Sequence, residues 1–208
     1  PEREIFFTSG ATESNNLAMK GFAFRNKRKG NHIIISSIEH ISVINIVKYL
    51  QRNGFKVSYV PVDKFGIINL SKLKESITDE TILTSIMYAN NELGTIQPIN
   101  EIGKILHKNN IVFHVDGTVA AGKIPIDVVR DNINILTLSS NDIYGPKGVG
   151  GLYVKLGTII EPILQGGGQQ RGLRSGSENI SGIVGFGKAA ELARKRMTTD
   201  SKRISELR

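Results

Sequence analysis

Leu138-Ser139-Ser140-Asn141-Asp142-Ile143-Tyr144-Gly145-Pro146-Lys147-Gly148-Val149-Gly150-Gly151-Leu152-Tyr153-Val154 is the stretch around which the rest of the chain is organised. The apolar run of Ile133, Ile135, Leu136 and Leu138 predicts a buried strand. It ends in small polar residues, turns at Gly145-Pro146 and re-enters a second apolar strand. A strand that ends this way presents side chains at a site.

With 208 residues the chain is long enough for one well-buried domain, and its alternating strand and helix patterns predict a single α/β unit. It opens on Pro1-Glu2-Arg3-Glu4-Ile5-Phe6-Phe7, already at the edge of a strand, and stops inside a helical pattern, so it reads as continuing beyond both ends. No long uncharged apolar run and no secretory pattern is present, which argues against a membrane and for the cytoplasm. Cysteine is absent, so disulfides, thiolate metal sites and nucleophilic thiols are excluded within these residues. The net charge of +8 includes Arg25, Lys27, Arg28 and Lys29 near a helix end. Cations in a last helical turn face the negative end of the dipole, and no nucleic-acid motif accompanies them, so nucleic acid is not the expected partner.

Outward from the central stretch, each predicted strand is followed by a polar segment. After Ile5 to Thr8 comes Ser9-Gly10-Ala11-Thr12-Glu13-Ser14-Asn15-Asn16, which opens a helix. Unpaired backbone N–H groups there suit phosphate, although Thr8, Ser9 or Thr12 acting as a plain cap explains the same residues. After His32 to Ser36 comes Glu39-His40, before a helix from Ile41 to about Arg52. Loops at the carboxyl ends of strands carry ligands in open α/β sheets. His40 is therefore a candidate, and Glu39 either orients it or is surface charge. A helix is predicted from Leu70 to Thr78. The strand ending at Met87 delivers Asn90-Asn91-Glu92, which by itself reads as a polar turn. Pro98 suits the start of a helix from Ile99 to about Lys108. Asp116 closes the strand that begins at Ile111, and a carboxylate there needs a cationic or strong donor partner. A protonated pyridine nitrogen and Lys123 are the two alternatives. Gly166-Gly167-Gly168 through Asn179 reads either as a flexible linker or as backbone that approaches something closely. From Ile180 to Leu207 a helix is predicted, burying Ile183, Val184, Phe186, Ala190, Leu192 and Ala193.

In this order and spacing, Ser-Gly-Ala-Thr-Glu-Ser-Asn-Asn, Glu39-His40, Asn90-Asn91-Glu92, Asp116-Gly117 with Gly122-Lys123, Ser139 to Gly150 and the glycine-rich 166–177 resemble the class V aminotransferases, and within them the cysteine desulfurases. The resemblance covers almost the whole chain. It implies a fold type I, three-layer α/β large domain with a mainly parallel sheet over 1–187. Residues 188–208 would form a helix leading to a small domain. It also implies pyridoxal phosphate as cofactor, with Ala11, Thr12 and Ser139 on the phosphate, His40 stacked on the ring, Asn91 on the phenolic oxygen and Asp116 on the ring nitrogen. Ser177 would reach the partner's phosphate across a homodimer interface. L-cysteine is the family substrate, and its sulfur passes by way of an enzyme cysteine to an iron–sulfur scaffold protein.

Besides Ser177, which stands where the family has a threonine, three positions at the cofactor site depart from the family pattern. Val119 stands where a glutamine is common, Asn141 where a histidine is usual, and Asp142 where a lysine holds the cofactor as an imine. The run is most similar to an archaeal branch of desulfurase-like sequences with aspartate at that place. A carboxylate has no amine to condense with an aldehyde, so the usual catalysis is expected to be lost, and Lys147 is no rescue because family members with the catalytic lysine also have it. The alternative is a non-enzymatic cluster-assembly partner in which Asp142 is a metal or cluster ligand and the full-length protein holds an iron–sulfur cluster.

Overall fold

The computed structural model describes residues 2–207, so the expected domain limits at Pro1 and Arg208 lie outside the described residues. Seven strands form one sheet: β1 (Ile5–Thr8), β2 (His32–Ser36), β3 (Lys56–Val60), β4 (Thr81–Met87), β5 (Val112–Asp116), β6 (Ile135–Ser139) and β7 (Gly150–Val154). Their spatial order is β1-β7-β6-β5-β4-β2-β3. The five strands from β6 to β3 are mutually parallel, and β7 runs antiparallel to both β1 and β6. Five α-helices accompany them: α1 (Ala11–Asn26), α2 (Ile41–Arg52), α3 (Leu70–Ser76), α4 (Ile99–Lys108) and α5 (Ile180–Leu207).

The strands are apolar on both faces because both faces are covered. Ile33 and Ile35 of β2 pack with Leu17 and Phe22 of α1 and Val47 and Leu50 of α2. Ile34, between them, points the other way, into a layer with Leu73 of α3 and Ile102 and Leu106 of α4. Helix α5 closes a smaller cluster in which Phe186 and Ala189 meet Ile143 and Val149. This is the expected mainly parallel three-layer architecture.

Two expectations need correction. Helix α3 stops at Ser76, because Ile77 turns extended (φ −72°, ψ 130°) and the Thr78 N–H goes to Thr81 Oγ1 instead of continuing the helix. On α5, Val184 is 67% and Leu192 39% exposed, and Ala190 is exposed as well. The buried stripe is the narrower Gly182, Phe186 and Ala189, because α5 touches the body along a single seam.

The topology gathers one edge of the molecule. The carboxyl ends of β1, β2, β4, β5 and β6 all open there, and β7, being antiparallel, brings its first residue to the same edge, where Gly150 pairs with both Thr8 and Ser139. A Cβ on Gly150 would lie 2.6 Å from the Gly10 carbonyl carbon and 2.7 Å from its Cα. A hydrogen at this position therefore lets the turn before α1 sit directly on β7. Gly10 itself adopts φ 153° and ψ 179°, a conformation open to glycine.

Candidate functional site

A cavity of about 430 Å³ opens at this edge, lined by Ser9, Gly10, Ala11, Thr12 and Glu13, by His40, by Met87, Ala89 and Asn91, by Asp116, Thr118 and Val119, and by Ser139, Asn141 and Asp142. Every cavity residue expected from the sequence is among them, drawn from five separate strand ends. Ser177 is not; it is exposed and stands outside the cavity.

Helix α1 begins at Gly10 with no side-chain cap, so Thr8, Ser9 and Thr12 are not the capping residues that one alternative required. Thr8 Oγ1 bonds Ser14 Oγ at 2.7 Å instead. The N–H groups of Ala11, Thr12 and Glu13, which have no intrahelical acceptor, are left at the positive end of the dipole. Ser9 N–H is bound at 2.7 Å by Glu13 Oε2. Burial disfavours the Glu13 carboxylate, but Arg174 and Ser9 hold it below its ordinary range. Arg174 reaches it with Nε at 2.8 Å and Nη2 at 3.3 Å. The glycine-rich segment is thus no free linker. Gln170 pairs with both backbone groups of Phe7, at 2.6 and 2.7 Å, and Arg171 donates to Ile5 O at 2.8 Å.

Asp116 is 7% exposed at the end of β5. Its Oδ2 accepts from Asn15 Nδ2 at 2.8 Å and its Oδ1 from Thr118 N–H at 3.1 Å. Lys123 is not its partner: that amine donates to Val119 O at 3.0 Å and Asp142 O at 3.3 Å. Asp116 is therefore held by neutral donors, with no countercharge supplied among the described residues. Beside it Thr118 Oγ1 is buried without a hydrogen-bond partner, on the cavity wall. An orphaned hydroxyl there fits a polar ligand in the cavity.

His40 caps α2. Its Nδ1 accepts the Ser42 N–H at 3.2 Å and lies 2.8 Å from Ser42 Oγ. A backbone donor fixes the lone pair on Nδ1, so the neutral ring carries its proton on Nε2. Glu39 is buried and is not surface charge: Oε1 accepts from Ser36 Oγ and, at 2.9 Å, from Met87 N–H. Burial pushes its carboxyl up to about 8, against the pull of those two donors, with the nearby Asp116 charge adding to the rise. The pair of bonds ties the loop carrying His40 to the end of β4. In Asn90-Asn91 the labour is divided. Asn90 is buried and builds the turn by accepting Glu92 and Leu93 N–H at 2.9 and 2.8 Å, while Asn91 is exposed to the cavity.

Ser139 Oγ donates to Asn141 Oδ1 at 2.9 Å, and Asn141 Nδ2 donates to Asp142 Oδ2 at 2.9 Å. This relay holds Asp142 Oδ2, and no donor among the described residues reaches Oδ1; Asp142 lines the cavity. Among the described residues there is no group of three or more potential metal-binding side chains. No helix among them is long and apolar enough to cross a membrane. Sequence reasoning missed Asn15, Thr118 and the Glu13–Arg174 pair. No sequence signal marks the first, because Ser14 and Asn15 are polar residues whose burial on the inner face of α1 only the structure shows.

The family model for aminotransferase class V matches residues 1–208. The chain is 56% identical to cysteine desulfurase IscS 1 of Archaeoglobus fulgidus over 99% of its own length and 53% of that protein. It is 52% identical to cysteine desulfurase IscS of Methanosarcina thermophila over 100% of its length and 51% of that protein. The chain thus spans about half the length of the curated relatives it matches. Among solved structures, a NifS-like protein superposes with a TM-score of 0.97 at 42% identity, covering 100% of this chain and 57% of that one. SspA in complex with cysteine superposes with a TM-score of 0.89 at 44% identity, covering 92% and 56%. By sequence, fold and arrangement of the site, the chain belongs to the aminotransferase class V family, as a homologue of its IscS/NifS-type cysteine desulfurases.

Proposed function

We propose that this chain forms the cofactor-binding large domain, residues 1–187, of a cysteine desulfurase-like protein of iron–sulfur cluster assembly, with 188–208 leading toward a small domain. The observation that carries the reading is the joint placement of Asp116, Asn91, His40 and the start of α1 around one cavity with an unpaired Thr118 hydroxyl in its wall. Those residues fit a phosphorylated pyridine of the pyridoxal phosphate type. Asp116, which lacks a cationic partner, would hold the protonated ring nitrogen, and the free N–H groups of Ala11 and Thr12, with Ser139, would hold the phosphate. His40 would lie on the ring and Asn91 would donate to its phenolic oxygen. Bound there, the cofactor draws electrons from bonds at the substrate carbon, and a carboxylate on the ring nitrogen strengthens that pull.

The chain's own residues prepare the site. Asn15 Nδ2 and the Thr118 N–H hold the Asp116 carboxylate in place. The Glu39 bonds hold the β2–α2 loop in place. Met87, Ala89 and Val119 supply apolar wall. What the site lacks is an amine: no lysine lines the cavity, so the cofactor would be held by its ring and phosphate and not covalently. The protein is expected to act as a cytoplasmic homodimer with Ser177 contributing to the partner's phosphate site, to meet L-cysteine, and to serve an iron–sulfur scaffold protein.

A second reading is favoured by the open Asp142 Oδ1: a non-enzymatic assembly partner in which Asp142 ligates a metal or an iron–sulfur cluster. With no cluster of three ligands among the described residues, the remaining donors would come from elsewhere.

The test is an absorption spectrum of the full-length protein with added pyridoxal phosphate, followed by borohydride reduction and peptide mass analysis. The expected result is no adduct in this cavity in the wild type and a covalent adduct at position 142 in Asp142→Lys. A cavity adduct in the wild type, or none in Asp142→Lys, would overturn the reading.

A further inference from the structure

The charges around the cavity are unbalanced in one direction. Three carboxylates line it, Glu13, Asp116 and Asp142, and neither lysine nor arginine does. Glu13 is neutralised from behind by Arg174 at 2.8 Å. Asp116 is accounted for by a protonated ring nitrogen. Asp142 remains. Its Oδ2 is held by Asn141 at 2.9 Å, and Oδ1 has no donor among the described residues. Lys123 Nζ, which reaches this segment, is committed to two main-chain oxygens, one of them the carbonyl of Asp142 itself at 3.3 Å. A carboxylate held through one oxygen by a side-chain relay, at the position where the family places an amine, calls for a hydrogen-bond-donating cation on the ligand.

We infer that Asp142 makes this cavity selective for the aminated form of the cofactor, pyridoxamine 5′-phosphate, whose 4′-ammonium pairs with the carboxylate. The inference rests on the cofactor reading above and deepens it. An aldehyde at the same carbon offers Asp142 only a partial negative oxygen, which a carboxylate repels. A 4′-methyl group offers nothing polar. The ammonium offers a charged donor to a carboxylate that the protein leaves unpaired. The lysine-to-aspartate change thus reverses the side from which nitrogen enters: the family supplies the amine from the protein, and this chain accepts it on the ligand.

The test is equilibrium binding to the full-length protein, by calorimetry, of pyridoxamine 5′-phosphate and of 4′-deoxypyridoxine 5′-phosphate, which shares the ring and phosphate but has a methyl at the 4′ position. The expected result is that the amine binds about tenfold or more tightly, and that Asp142→Asn retains binding of the deoxy compound while abolishing the preference. Equal affinity for the two ligands, or a preference that survives in Asp142→Asn, would overturn the inference and leave the cofactor reading standing. Failure of the deoxy compound and the amine to bind at all would overturn both. Because Asn is isosteric and Asp142 already bonds an amide, Asp142→Asn is expected to fold, and its unfolding midpoint checks that.

Discussion

Asn15 Nδ2 lies 2.8 Å from Asp116 Oδ2 and 3.2 Å from Ser42 Oγ, so a single buried amide on α1 joins the carboxylate at the end of β5 to the first turn of α2. Ser42 in turn contacts His40 Nδ1 at 2.8 Å. The two groups expected to grip a pyridine ring, one at its nitrogen and one on its face, are thus connected through Asn15 and Ser42. Displacing the amide disturbs both.

Asn15→Leu keeps the branching and heavy-atom count and removes both bonds, leaving a buried carboxylate with one donor fewer. The expected cost is about 1–3 kcal/mol of stability, read from the midpoint of urea unfolding. Binding of pyridoxine-type phosphates should weaken in parallel. Asn15→Asp, which puts a second carboxylate against Asp116, is expected to cost more than Asn15→Leu. The reverse order would mean that the amide fills space and does not support the charge.

Glu39 gives the protein a pH dependence of definite sign. Its carboxyl titrates near 4.5 when unfolded and at about 8 when folded, because burial disfavours the charge. The folded state therefore holds the extra proton between those values. The stabilisation is fully present below about 4.5 and is lost as pH rises through about 8. In Glu39→Gln the carbonyl oxygen can still accept from Ser36 and Met87, with no charge to bury. Unfolding curves from pH 5 to 9 should show the wild type losing stability with rising pH relative to the variant. Parallel curves would contradict the assignment.

His114 works in the opposite direction. It is fully buried between Ser85 Oγ at 2.8 Å and Thr137 Oγ1 at 3.0 Å, and burial lowers its pKa from 6.5 to about 4, the Asp116 charge opposing. The unfolded chain takes up a proton first as pH falls, so this contribution is present above about 6.5 and is lost progressively toward 4. His114→Gln should flatten the acid limb of the stability profile, with the alkaline limb that belongs to Glu39 unchanged.

Gly150→Ala is expected to damage the cavity from below. The new Cβ would meet Gly10 backbone at 2.6–2.7 Å, and neither β7 nor the turn before α1 has a flexible end to move aside. A loss of roughly 1–3 kcal/mol follows from overpacking. Inorganic phosphate or pyridoxine phosphate binding should fall further than the stability change explains, because the displaced element carries the Ala11 and Thr12 N–H groups.

Arg174→Met should release the Glu13 carboxylate toward the anion-binding end of the cavity. Pyridoxine phosphate affinity is expected to drop by about tenfold. Adding Glu13→Gln should recover most of it, because the repelling charge is gone. If the double variant binds no better than Arg174→Met, the arginine acts by a route other than neutralising Glu13.

Local rules made much of this readable. Helices α2 and α4 have the limits the sequence predicts, since apolar periodicity and, for α4, the Pro98 entry are signals contained in adjacent residues. The helix ending at Ser76 was read two residues too long because its stop depends on a hydrogen bond from Thr78 to Thr81 in the next strand. Val184 and Leu192 lie exposed against the periodicity, which shows which residues share a face and not how wide a contact that face finds. Asn15 escaped notice because a polar residue in a helix reads as solvent-facing until the partner strand is in place.

The sequence by itself determined the order of strands and helices, the family, and the residues that meet at the strand ends, because those rest on apolar periodicity, turn chemistry and motifs of adjacent residues. Only the tertiary structure decided how those residues are electrically balanced. Asp116 faces neutral donors and not Lys123, Glu39 is buried and pushed toward neutrality, and Asp142 keeps one oxygen free. The physical reason is that a side chain's charge state and partners are set by whatever is packed within a few ångströms of it. For two of these carboxylates a neighbour comes from far along the chain: Asn15 lies 101 residues from Asp116, and Met87 lies 48 residues from Glu39.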